Sequence, residues 1–164
     1  MSTRNVKEHL ADHLAIRDLI ARYTDALNRR DWEAMATQFT ADAVWDAGGP
    51  AMGEQALYFS GARNIAAGIG NSVSGTSMCV QMTHSTAIEV TAGRATARST
   101  INEVVGLGVD GGMTSLGTYS DELVLEADGE WRFSRRVFRF LYLDTHALPG
   151  QVLMMQPAGG PAGQ

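Results

Sequence analysis

The chain is poor in several of the residues that most often announce a function. Cys79 is the single cysteine in 164 residues, so no disulfide can close within the chain and no cysteine-based zinc site can form. That usage suits a reducing compartment. Basic residues are also scarce, 13 Lys and Arg against 18 Asp and Glu, for a net charge of −5. Such a balance does not draw the chain to nucleic acid or to an anionic membrane. No basic cluster is larger than a pair of arginines, at Arg29 and at Arg135. The longest uncharged stretch, NIAAGIGNSVSGTSMCVQMTHSTAI, is interrupted by glycine and serine and too polar for a bilayer span. The opening MSTRNVKEHLADHLA has no apolar segment of the secretory kind. The expectation is a cytoplasmic protein with no nucleic-acid and no membrane partner.

Several chemical motifs are missing as well. GIGNSVSG has neither the lysine of a phosphate loop nor a dinucleotide-binding context. Neither HSTA nor GTYSDE forms a nucleophile elbow. His9 and His13 have the four-residue helical spacing of two metal ligands, but no third ligand stands near them. They are read as a solvated helix face, and no metal and no cofactor are expected.

What the chain does have is patterning. Hydrophobic residues make up 45% and charged residues 19%, an ordinary balance for one globular domain with a sizeable core. Over residues 6–29, Ile16, Leu19, Ile20, Tyr23, Ala26 and Leu27 fall in one helical arc. Asp31 can cap a second short helix that buries Trp32, Met35, Ala36 and Phe39. TADAVWDAGG reads as a strand, and SGARNIAAGIG as a third helix weakened by its glycines. From about residue 77 four strand-like runs follow, separated by TAG, GVDGG and DG. Helices first and consecutive strands after them give an α+β class: a curved, cone-shaped antiparallel sheet with the N-terminal helices over its concave face. Residues 1–156 are read as that one domain. Within it, QVLMM is read as an apolar knot that lids the cone or meets a neighbouring subunit. Residues 157–164 are read as a disordered Gly/Pro tail.

Candidate working residues come from strand alternation. In CVQMTHSTAIEV, Val80, Met82, His84, Thr86, Ile88 and Val90 share one face of an unbroken strand. That reading turns His84 into the cone, where an imidazole can take or give a proton near neutral pH; its bland alternative is a satisfied core histidine. In WRFSRRVFRFLYL the same alternation aligns Trp131, Phe133, Arg135, Val137, Arg139, Leu141 and Leu143. Arg139 then faces inward as an anchor for an anionic oxygen, or as the partner of Asp121 or Glu103. Tyr23 and Tyr119 are phenol donors or large core residues. Trp45, Gln81, Met82, Asn102 and Tyr119 are expected to line the pocket.

AIRDLIARYTDALNRRDWEAMATQFTADAVWD, with the later GTYSDELVLEADGEWRFSRR, resembles the nuclear transport factor 2-like superfamily. It is most similar to the SnoaL-like branch that includes scytalone dehydratase, the bile-acid dehydratase and the lindane dehydrochlorinase. The resemblance spans about residues 10–145. It implies an Asp–His pair inside the cone, and Tyr23 and Arg139 match a tyrosine and an arginine of the bile-acid enzyme. Matched without gaps, the aspartate falls on Asn28 and the histidine on Val80 or Gln81, not on His84. Asp25, one turn before Asn28, and Asp46, at the end of the first strand, are carboxylates that could stand in for that aspartate. The expectation is a small-molecule lyase or isomerase of dehydratase type, acting on an alicyclic, polyketide-like or steroid-like substrate. His84 would be the base, Asn28 its orienting group, and Tyr23 and Arg139 the donor and anchor. The alternative is a ligand carrier or assembly subunit of the same fold. A small hydrophobic molecule is the expected partner, with the chain itself a homodimer or homotrimer.

Overall fold

The computed structural model describes residues 7, 9–49, 53, 56–107 and 111–151. The proposed knot at Val152–Met155 and the tail from residue 157 lie outside them.

Helix α1 (Leu10–Arg29) buries His13, Ile16, Leu19, Ile20, Tyr23, Ala26 and Leu27, the predicted arc with His13 added. His13 therefore leaves the solvated face assigned to it. The helix stops at Arg30, which turns into the left-handed region (φ 57°). Asp31 then caps α2 (Trp32–Ala36), its Oδ1 accepting from the Ala34 N–H at 3.0 Å. Strand β1 (Phe39–Ala47), the short β2 (Leu57–Ser60) and helix α3 (Ala62–Ser72) follow. Four long strands complete the chain: β3 (Met78–Thr91), β4 (Arg94–Gly106), β5 (Gly112–Leu125) and β6 (Trp131–Asp144).

The six strands form one curved, unclosed sheet in the order β2-β1-β6-β5-β4-β3. All neighbours are antiparallel except β1 and β6, which run parallel. The α+β class and the helices over the concave face are as expected; β2 and the one parallel pairing are additions to it. The β5–β6 turn is the predicted Asp-Gly, with Gly129 at φ 85°.

Three one-residue bulges decide which side chains enter the cone. On β3, Thr83 pairs with Ile101 but Thr86 with Ser99, so β3 carries one extra residue. On β6, Phe133 pairs with Leu123 but Arg135 with Glu122, and Phe140 pairs with Gly117 but Tyr142 with Leu116. Each bulge reverses the alternation beyond it. The concave face therefore carries Cys79, Gln81 and Thr83 from one half of β3, and Ile88 and Val90 from the other. From β6 it carries Trp131 and Phe133, then Arg136, Phe138 and Phe140. Phe39, Val90, Leu123 and Phe133 join Ile16, Leu19 and Ile20 of α1 in one buried apolar core, the floor of the concave face.

Candidate functional site

Above that apolar floor the cone interior is polar. Tyr23 from α1 and Tyr119 from β5 are 0% and 2% exposed, and their hydroxyls are 3.4 Å apart. The Gln81 side chain from β3 donates from Nε2 to Tyr119 Oη at 3.3 Å and to Glu103 Oε2 at 2.9 Å. Gln81, Glu103 and Ser115 are cross-strand neighbours in one row, so four residues form a chain: Glu103–Gln81–Tyr119–Tyr23. Trp45 from β1 is buried beside them, its indole N–H without a hydrogen-bond partner among the described residues. Gln81 Oε1 and the Ser115 hydroxyl are likewise unpartnered.

Beneath the two phenols lies a charge pair. Arg136 is 0% exposed and Asp121 3%; they are cross-strand neighbours with Nε 3.5 Å from Oδ1. The guanidinium carbon sits 3.8 Å from the Tyr119 ring centroid, 4.0 Å from that of Tyr23 and 4.4 Å from that of Phe133.

Burial governs the proton affinities here. It pushes the Tyr119 phenol well above its ordinary range, with Tyr23 adding to the rise and Arg136 opposing it. It also raises Tyr23, against the pull of Arg136 and Tyr119. The Glu103 carboxyl is raised by burial and partly restored by the Gln81 amide. Asp121 is pushed up to about 6 by burial, against the attraction of Arg136. Cys79 reaches about 12 by burial, which removes it as a nucleophile.

Of the residues predicted from sequence, Tyr23, Tyr119, Gln81 and Trp45 come together in the cone, with Asn28 at its edge. His84 does not. The β3 bulge falls at His84 and Ser85, and both are exposed; the unbroken alternation that placed His84 inside fails at that extra residue. Met82, 41% exposed, lies on the same convex face and lines no part of the cone. Asn102, its register partner, is half-buried there and donates to the Ser115 carbonyl at 2.8 Å. Arg139 is also outside, beyond the bulge that separates Phe133 from Arg135. Its Nη1 and Nη2 grip the Asp46 carboxylate at 3.0 Å each, and these bonds hold the Asp46 carboxyl below the usual range. Asp25 pairs with Arg29 on the exposed side of α1.

Asn28 has a different task from the one the resemblance implied. Its Nδ2 donates to the Gln81 carbonyl at 2.9 Å, and its Oδ1 accepts from the Gln81 N–H at 2.8 Å. Strand β3 is an edge of the sheet, and Asn28 supplies the pairing that a further strand would give. Arg17 helps by donating to the Thr86 carbonyl at 3.1 Å, and Arg30 donates to the Thr76 carbonyl just before the strand at 2.9 Å. Both ends of the Asn28 amide are thus bonded to the Gln81 backbone, and the exposed His84 is not among its hydrogen-bond partners.

Arg136, Asp121 and Glu103 are the interior groups that alternation passed over, or took only as partners for Arg139. One signal did exist. Phe133 and Phe138 are an odd number of residues apart, and a bulge between them is the simplest way to bury both.

A groove of about 360 Å³ lies on the opposite, convex face, bordered by Glu89, Arg98, Glu122 and Arg135. It does not contain the tyrosines. Among the described residues no group of three or more His, Cys, Asp or Glu is arranged to hold a metal. No helix among them is long and apolar enough to cross a membrane.

The SnoaL-like domain family model matches residues 8–137. A protein from Novosphingobium aromaticivorans DSM 12444, provisionally named a scytalone dehydratase, superposes with a TM-score of 0.73 at 18% identity, covering 96% of this chain and 99% of that one. Hexachlorocyclohexane dehydrochlorinase LinA-type3 from Novosphingobium barchaimii LL02 gives 0.73 at 20% identity, covering 90% and 97%. An Asp-to-Asn variant of Rv3472, a Mycobacterium tuberculosis protein of unknown function, gives 0.70 at 26% identity, covering 82% and 75%. No curated protein matches the chain in sequence.

Proposed function

Since the chain belongs to the SnoaL-like domain family, we propose that it is a small-molecule lyase or isomerase of the dehydratase type. Its substrate would be a hydrophobic alicyclic, polyketide-like or steroid-like molecule held in the cone. The observation that carries this reading is the buried chain Glu103–Gln81–Tyr119–Tyr23. It joins a carboxyl of raised proton affinity to two buried phenols on the inner face of the sheet. In this reading Glu103 replaces His84 as the base. Glu103 takes a proton from carbon, and the electron pair left behind becomes the new double bond. The hydroxyl leaves as water, carrying a proton from a phenol, and the phenol is reprotonated by Glu103. Donation by Tyr23, Tyr119 and the Trp45 N–H stabilises the oxygen that gains negative charge. The dehydratase and dehydrochlorinase names among the structural relatives are in keeping with an elimination.

One observation favours a second reading, a non-catalytic carrier. The positions that the resemblance gives to the orienting aspartate and the basic histidine hold Asn28 and either Val80 or Gln81, and the Asn28 amide is committed to the backbone. The two readings separate in one experiment. A panel of cyclic β-hydroxy ketones is incubated with the protein, and the conjugated enone is followed by absorbance while binding is measured in parallel. Under the enzyme reading Glu103→Gln lowers turnover about 100-fold or more while binding stays within a few-fold. Binding without turnover, unaffected by Glu103→Gln, establishes the carrier.

A further inference from the structure

The charge pair under the phenols has no part in the reaction just described, yet both of its side chains are fully buried. None of the Arg136 nitrogens and neither Asp121 oxygen has a hydrogen-bond partner there. The guanidinium instead fills a wedge: the Tyr23 and Tyr119 rings stand at 77° with centroids 5.8 Å apart, and its carbon lies within 4.0 Å of both centroids. A planar cation fits between two ring faces where a lysine ammonium would not.

We infer that Arg136 is the positioning residue of the site: its guanidinium holds the Tyr23 and Tyr119 rings so that their hydroxyls meet, and supplies the positive charge that favours anionic oxygen there. The inference rests on the reading of those hydroxyls as donors. The charged groups acting on the phenols are Glu103 from β4 and Arg136 from β6, and Asp121 from β5 is paired with that Arg136. Strands β1 and β3 present Trp45 and Gln81, and α1 presents Tyr23 itself, all uncharged at neutral pH. Asp121 is the group that cancels Arg136, so the charge on that carboxyl sets how strongly the arginine acts on the phenols.

The test uses the whole chain with 13C-labelled tyrosine ring carbons. Of the four tyrosines, the exposed Tyr58 and Tyr142 serve as internal references. Asp121→Asn, which keeps the shape and removes the cancelling charge, should lower the titration of Tyr23 and Tyr119 by about one pH unit or more. Adding Arg136→Met should reverse the shift, and adding Arg136→Lys in its place should retain only part of it. The wild type gives a reading without mutation: between pH 5 and 8 the Tyr23 and Tyr119 ring carbons should move as Asp121 changes charge, and this movement should vanish in the Asp121→Asn, Arg136→Met pair. Buried tyrosines that ignore Asp121 in both measurements overturn the inference. Binding of 2-naphthol, an apolar body with one oxygen, is measured on the same chains. A tyrosine response without naphthol binding rejects the donor reading and leaves the role of Arg136 standing. Naphthol binding without a tyrosine response does the reverse.

Discussion

Asn28 acts on the backbone of β3 rather than on a ligand. A primary amide carries one donor and one acceptor side, the two functions the Gln81 peptide group presents at an open sheet edge. Removing it leaves a half-buried N–H and C=O without their partner, a loss of about 1–3 kcal/mol. Asn28→Ala is therefore expected to lower the melting temperature by roughly 2–4 °C for each kcal/mol lost. Asn28→Asp should do at least as much harm at neutral pH, because a carboxylate cannot donate to the Gln81 carbonyl and repels it. Part of that loss should return in acid, when the carboxyl regains a donor. Thermal unfolding at pH 4 and pH 7 checks both variants. An Asn28→Asp protein as stable as the wild type at neutral pH would show that the clamp contributes nothing.

The bulges act on whole strands, and they explain where the sequence was legible. Helix α1 follows a 3.6-residue period that nothing interrupts, so Tyr23 could be placed from spacing alone. Tyr119 and Asp121 lie on β5, which carries no extra residue between Gly117 and Glu122, so a simple alternation there puts both on the inner face, although from the sequence Asp121 reads only as a partner for Arg139. His84 and Arg139 stand at or beyond an extra residue, and a one-residue slip exchanges the two faces of a strand. Strand alternation carries no local mark of the slip; only the odd spacing of Phe133 and Phe138 betrays it. Deleting Ser134, the extra residue of β6, tests this directly. The deletion would turn Arg136 to solvent or break the pairing of β6 with β5, and either exposes core surface. We expect loss of cooperative unfolding, or destabilisation beyond about 4 kcal/mol, the range of severe core defects. A deletion variant with near-native stability in denaturant would mean that the bulge does not set the inner face.

At the scale of the molecule, a fold of this size keeps two opposed charges in its interior, and that has a pH signature. The Asp121 carboxyl rises from 3.8 to about 6 on folding, so the native state holds that proton more tightly than the unfolded chain. Its stabilising contribution is full below about 3.8 and is lost as pH rises through about 6. A shift of roughly two units corresponds to about 3 kcal/mol. Relative to Asp121→Asn, the wild type should lose up to about that much stability between pH 4 and pH 7.5 in denaturant titrations. A difference that stays flat or grows with pH contradicts a carboxyl raised by burial. The proposed elimination uses the same interior, through Glu103 and the phenols, while His84 is exposed at the β3 bulge. The most direct test is the elimination assay run on three chains: wild type, Glu103→Gln and His84→Gln. Turnover should survive His84→Gln within about two-fold and fall about 100-fold or more in Glu103→Gln. Activity abolished by His84→Gln and retained by Glu103→Gln would contradict Glu103 as the base.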